Sequence, residues 1–164
     1  MTLTPTTRSQ PRTTSPIAAD AWPAFTVLAP DDVVVAGVAL SRLVKWCGTP
    51  SVHNSGAALP GSGGLASATD KASVVVARVV SVEWRGDLRM HVTIDANLSG
   101  CRPTIGEARV IGRQATVHLS STTLSGPIGA SESLPARLPS DLVEGDLIVV
   151  PCLGATLLHE VKGS

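Results

Sequence analysis

Residues 88–95 alternate without a break: Leu88, Met90, Val92 and Ile94 are apolar, and Arg89, His91, Thr93 and Asp95 are polar. Successive side chains on a strand point to opposite faces, so this period of two predicts a strand with one apolar and one polar face. The preceding run, Ser73 to Arg85, is β-branched. Gly86-Asp87 between the two runs makes the pair a hairpin. A chain built around such a ribbon must find further strands to cover its apolar face.

Further strand signals follow. Phe25 to Leu28 and Val33 to Val35 are short β-prone runs split by Pro30-Asp31-Asp32. Ala108 to Ile111, Ala115 to Leu119, Leu147 to Val150 and Ala155 to Val161 read as strands, with Glu144-Gly145-Asp146 as a turn. One segment is different. Leu40, Leu43, Val44 and Cys47 fall at i, i+3, i+4 and i+7, the spacing of one helix face. Gly48 provides a C-terminal cap and Pro50 blocks continuation. The expected fold is therefore mainly β, a small β-barrel or sandwich with one short helix at about residues 39–47. Residues 1–20 are Thr, Ser and Pro with almost no large apolar side chain, which predicts a disordered tail. Residues 21–164 form the single domain, and its Gly/Ser-rich stretch 54–72 reads as a loop.

Composition narrows the function classes. At 164 residues with 43% hydrophobic content, the chain can bury one core. Thirteen basic and thirteen acidic side chains cancel, so no net field favours nucleic acid or an anionic membrane. Aromatic residues are 2%, too few for base-stacking platforms. No run of apolar residues is long enough to span a bilayer. The first twenty residues lack the apolar core of a secretory signal, which predicts a cytoplasmic protein. Cys47, Cys101 and Cys152 are scattered, without metal-ligand spacing, and read as free thiols. Arg outnumbers Lys ten to three, as in chains from GC-rich bacterial genomes.

No dinucleotide fingerprint, phosphate loop, zinc-protease or nucleophile-elbow motif occurs. Arg85-Gly86-Asp87 spells an adhesion tripeptide but sits at a hairpin turn. The titratable candidates are His91 and Asp95 on one strand face and His118 on another strand. On the bland reading these are solvated faces of an antiparallel sheet. On the sharper reading, polar faces turn inward and line a barrel pocket, where a His beside an Asp works as a general acid or base.

Residues 125–156 carry an ordered series: Gly126-Pro127, Ser131, Leu134-Pro135, Gly145-Asp146 and Gly154-Ala155. This series resembles the C-terminal β-domain of the fold-type III pyridoxal-phosphate decarboxylases, the diaminopimelate and ornithine decarboxylase superfamily. Upstream, Val74 to Val82, Thr93-Ile94-Asp95-Ala96 and Arg102-Pro103 are similar to the family's strand, Asp-Ala-Gly and Arg-Pro stretch. Val35 to Val38, through Leu43 to Gly48-Thr49-Pro50, is similar to its opening strand, helix and Gly-Thr-Pro. The resemblance spans about residues 33–161. In that family a TIM barrel bearing the Schiff-base lysine lies between Gly-Thr-Pro and the β-domain; here residues 54–72 fill the interval.

The resemblance thus implies the fold without the chemistry. The family's cysteine position is Gly129, the acidic position after it is Ala130, and the tyrosine of Gly-Ala-Tyr is Thr156. Arg102, matching a substrate-carboxylate arginine, and Ser131 remain. Lys45, Lys71 and Lys162 are not credible Schiff-base lysines, so no pyridoxal phosphate and no other cofactor is expected. The expectation is a cofactor-free enzyme of bacterial specialised metabolism that holds a largely apolar small molecule for cyclisation or isomerisation. His91, Asp95 and His118 are its candidate catalytic groups. Arg102, Ser131, Trp84 and Trp46 are its candidate substrate contacts, and no metal is expected. The alternative is a non-catalytic, decarboxylase-like subunit that regulates a partner biosynthetic enzyme. A homodimer suits either reading, because deleting a domain uncovers apolar surface.

Overall fold

The structure is a computed structural model and describes residues 19–59, 61–62, 65–86, 88–127 and 133–162. In chain order the strands and helices are β1 (Thr26–Ala29), β2 (Asp32–Val35), β3 (Val38–Ala39), α1 (Leu40–Cys47), β4 (Ser51–Ala58), β5 (Ala66–Trp84), β6 (Met90–Ile94), β7 (Arg102–Pro103), β8 (Arg109–Ile111), β9 (Leu119–Ser125), β10 (Ser133–Pro139), β11 (Leu147–Leu153) and α2 (Leu158–Val161). Short 3-10 turns cover Ala19–Ala21 and Ile105–Glu107.

The β5 strand is the spine. Its 19 residues pair antiparallel with β4 over the first half, with β11 in the middle and with β6 at the end. A bulge between Val79 and Ser81 marks the change of partner to β6, and bulges bend and twist a strand. The eight-stranded sheet continues from β6 to β9 in parallel and from β9 to β10 antiparallel. It curls into a half-barrel. A separate three-stranded meander, β1-β2-β3, and α1 lie against it. The domain is mainly β, as the sequence predicts.

Alternation along β5 explains why Val74 to Ala77 are all buried. Val75, Ala77 and Val79 face one core with Met90, Val92 and Ile94 of β6 and Ile148 and Val150 of β11. Val74 and Val76 face the other, with Val149, Ile111, Val33, Val35, Leu40, Val44 and Trp22. A sheet covered on both faces needs continuous apolar runs rather than alternation. Each such side chain contributes roughly 1.5–3 kcal/mol on burial.

The helix α1 forms where periodicity places it. Leu40 and Val44 are buried, while Cys47, on the expected apolar face, is exposed. Gly48 takes φ +76° and its amide donates to the Val44 carbonyl at 2.7 Å. Ala39 offers no side-chain cap. Asp32 of β2 supplies one instead, accepting from the Ser41 amide at 3.2 Å and the Ser41 hydroxyl at 2.5 Å. A carboxylate at a helix N-terminus satisfies its free amides and complements its dipole.

Three expectations are corrected. The stretch 54–72 is not a loop: most of it forms the pairing arms of β4 and β5, with Asn54↔Ser73 and Ser55↔Ala72 in register. Its backbone groups are satisfied by long-range pairing, which Gly- and Ser-rich composition does not announce. Residues 115–118 precede their strand, which runs over Leu119–Ser125. Residues 155–161 end in the short helix α2, not a strand, with only Val161 of that helix buried. Of the expected tail, residues 1–18 lie outside the described residues. Asp20 belongs to the Ala19–Ala21 turn, where its carboxylate accepts the Gly61 amide at 3.1 Å.

Candidate functional site

A cavity of about 480 Å³ opens between the β1–β2 turn, the Ile105–Glu107 turn, β8 and the outer face of β9 and β10. This is within the ~300–1,000 Å³ range of small-molecule sites. Its walls are largely apolar, with Leu28, Val33, Val110, Leu119 and Pro135 among them. Five charged residues line it: Asp32, Glu107, Arg89, Arg109 and Arg137. Three arginines face two carboxylates, and Asp32 already holds α1.

Glu107 and Arg109 form the inner polar wall. Their side chains are 16% and 15% exposed, and Glu107 Oε1 stands 3.9 Å from the Arg109 guanidinium. The same oxygen accepts the Trp22 indole N–H at 2.9 Å. Burial lowers the Arg109 pKa from its ordinary value, and Glu107 opposes that shift. A guanidinium still stays protonated at neutral pH, so Arg109 is a fixed cation facing an apolar space. On the outer wall, Arg137 donates to the Leu119 carbonyl at 3.4 Å.

The sequence-predicted residues lie elsewhere. His91 sits in β6 opposite Glu83 and Thr123, with a buried Nε2 that has no hydrogen-bond partner. Asp95 follows β6, and both its oxygens are engaged: Oδ1 accepts the Arg78 amide at 2.8 Å and Oδ2 the Thr49 hydroxyl at 2.6 Å. His91 and Asp95 are four residues apart along an extended chain, about 13 Å. His118 is exposed ahead of β9, its carbonyl accepting the Ser140 amide at 3.0 Å. Arg102 is exposed on β7, with its guanidinium over Gly154, where a Cβ would meet it at 3.0 Å. Trp46 is exposed on α1 with the Arg42 guanidinium 6.0 Å above its ring. Trp84 is half exposed at the end of β5. Ser131 lies outside the described residues. None of the others lines the cavity.

Of the alternating polar positions Arg89, His91, Thr93 and Asp95, only Arg89, just before β6, lines the cavity. Sequence reasoning missed Glu107, Arg109 and Arg137. The Glu-x-Arg spacing of Glu107 and Arg109 was the one local signal, and nothing in it distinguishes a cavity wall from a solvated turn.

Pyridoxal phosphate does not fit these residues. Lys45, Lys71 and Lys162 are exposed on α1, on β5 and after α2, and none lines the cavity. Thr156 is buried, with its hydroxyl 2.8 Å from the Ser73 hydroxyl and its amide donating to Asn54 at 2.9 Å. It has no free hydroxyl to offer a phosphate. Cys101 and Cys152 are free thiols with sulfurs 3.5 Å apart. Among the described residues no cluster of His, Cys, Asp or Glu could hold a metal, and no helix is long and apolar enough to cross a membrane.

No protein-family model and no curated relative matches this chain. Among solved structures it is similar to the arginine decarboxylase of Paramecium bursaria Chlorella virus, at 18% identity and a TM-score of 0.41. A second structure of that viral enzyme, bound to agmatine, matches at 18% identity and a TM-score of 0.40. Each alignment covers 51% of this chain and 25% of the other, so the chain spans a quarter of the length of the structures it matches.

Proposed function

We propose that this β-domain takes one largely apolar small molecule into the cavity beside Arg109 and, without a cofactor, promotes its cyclisation or isomerisation. The observation that supports this is the cavity itself: about 480 Å³, apolar on most sides, with one largely buried Arg–Glu pair. Such a wall folds a flexible substrate into a reactive conformer, and conformational restriction alone removes much of a unimolecular barrier. Arg109 would stabilise a developing enolate or carboxylate, and Glu107 would accept a proton.

Nile red binding tests the cavity. The chain should bind the dye saturably, one molecule per chain, and Ala115→Trp should abolish most of that binding with an unchanged melting temperature, because Ala115 lines the cavity outside any strand. Equal binding by the occluded variant would remove the reading. Turnover has its own signature. A cyclised or isomerised product keeps its substrate's mass, so it appears as a new chromatographic peak at constant mass.

A second reading, a subunit that pairs with a copy of itself or a partner enzyme, has one observation behind it. β1 is an end strand of its sheet, and Phe25 just before it and Val27 within it are 66% and 60% exposed. Exposed apolar edge strands invite pairing. Sedimentation at rising concentration should then show a dimer that Val27→Asp dissolves while Nile red binding persists. A monomer at all concentrations would leave this reading without its homodimer.

A further inference from the structure

We infer that Cys101 and Cys152 form one oxidisable dithiol site, which a peroxide closes to a disulfide that fastens the turn before β7 to β11. The inference goes beyond the reading of the cavity and does not depend on it. Cys152 lies in β11 and is 0% exposed. Cys101 is half-buried in the turn that leads into β7, just ahead of Arg102-Pro103, and Pro103 is the ladder partner of Cys152. The Cys152 thiol donates to the Cys101 sulfur at 3.5 Å, and the Cys101 thiol donates to the Leu98 carbonyl at 3.3 Å. The two sulfurs are therefore in contact, and about 1.5 Å of approach gives the ~2.05 Å of a disulfide. Cys101 stands outside the ladder, so that approach falls on a turn and not on a strand pair. The third cysteine, Cys47, is exposed at the end of α1, apart from this pair.

The two thiols have different tasks. The hydrogen bond to Cys101 and burial push the Cys152 thiol up, against the Ser73 hydroxyl, so Cys152 stays protonated and shielded. Cys101 meets the oxidant first, reacting as its thiolate. Its sulfur attacks one oxygen of hydrogen peroxide and the O–O bond breaks. Sulfenic acid forms, and the hydroxide released takes the Cys101 proton as a first water. The Cys152 sulfur then attacks the Cys101 sulfur, the S–O bond breaks, and the hydroxyl leaves with the Cys152 proton as a second water. Two thiols are oxidised by two electrons and one peroxide is reduced to two waters. The bond would fasten more than two side chains. The turn that carries Cys101 bears on α2, since a Cβ at Gly100 would meet the Glu160 carbonyl at 3.1 Å. Downstream, the Thr104 amide donates to the Pro151 carbonyl at 2.8 Å and the chain enters the Ile105–Glu107 turn. The disulfide also closes a loop of about 50 residues, which lowers the entropy of the unfolded chain.

Titration of the reduced full chain with hydrogen peroxide, read by intact mass, tests the site. The mass should fall by about 2 Da, two hydrogens, and dithiothreitol should restore it. A peptide map made without reductant should join the Cys101 peptide to the Cys152 peptide. The melting temperature should rise by roughly 5–15 °C, the range for a disulfide closing a loop of this length in a domain of this size. Cys47→Ser should change none of these results. Cys152→Ala should instead leave sulfenic acid on Cys101, a gain of about 16 Da that dimedone traps. An unchanged mass, oxygen added to Cys101 of the unaltered chain without a bond to Cys152, or covalent dimers through Cys47 alone would each overturn the inference. A link that forms only in denaturant would do the same. Mass and map are read on the unaltered chain, so both stand even where Cys152→Ala does not fold.

Discussion

Replacing Trp22 by Ala should cost about 3–5 kcal/mol of stability, the range for deleting a buried Trp or Phe side chain. Trp22 is 1% exposed in the core formed by β2, α1, β5, β8 and β11. It also ties the chain's entry to the site. The Ala24 amide donates to the Gly56 carbonyl at 2.8 Å, docking this segment on β4, and the Trp22 indole holds Glu107 on the cavity wall. Truncation leaves a void and strips a partly buried carboxylate of a donor, and both costs add. Against a typical total of ~5–15 kcal/mol, that is a large fraction. The denaturant midpoint followed by circular dichroism reads the loss. Trp22→Phe, which keeps most of the volume, should cost about 1–2 kcal/mol from the lost hydrogen bond and repacking. A loss below about 1 kcal/mol for Trp22→Ala would show that the indole does not anchor this core.

The second large effect should come from Arg113, and it should depend on pH. Arg113 follows β8 and donates to Asp146 at 2.8 and 3.0 Å and to Asp141 at 3.1 and 3.2 Å, joining the connectors before β9 and before β11. Hydrogen bonds to Asp146 and Asp141 raise the Arg113 pKa. Burial pushes the Asp146 carboxyl up, but the Arg113 hydrogen bond, the Val143 amide and the Arg113 charge outweigh it, so its pKa is lowered from the ordinary value. A lowered folded pKa means that the unfolded chain binds the proton first on acidification. The stabilisation is therefore complete above the unfolded value of about 3.9 and fades as pH falls through the lower folded value. Arg113 is 31% and Asp146 12% exposed, between the surface and buried limits. Arg113→Ala should thus cost about 2 kcal/mol at pH 7. The gap between wild type and variant should narrow below about pH 4. A gap that stays constant from neutral to strongly acid pH would show that Arg113 acts through packing and not through Asp146.

What the sequence determined by itself is what local periodicity encodes. The alternation over Met90–Ile94 and the β-branched run of β5 fold as read and pair with each other, because side-chain direction on a strand is a property of neighbouring residues; Leu88, expected on the apolar face, instead precedes the strand at φ +62° and is 81% exposed. The helix α1 and its Gly48 end are local in the same sense. Tertiary structure decided the rest. Ser-, Gly- and Ala-rich residues of β4 and early β5 have no apolar rhythm, and they are strands because β5 and β4 hold each other's backbone groups from Ala58↔Ala66 out to Ser51↔Val76. β9 is rich in Ser and Thr and β10 contains Pro135, yet both extend the sheet. Parallel pairing with β6 recruits β9, and proline is tolerated in β10 because it is an end strand. The cavity is the extreme case. Arg89, the Glu107–Arg109 pair and Arg137 come from three separate stretches of chain, and no spacing in one dimension records that strand register and curl bring these stretches to one cavity.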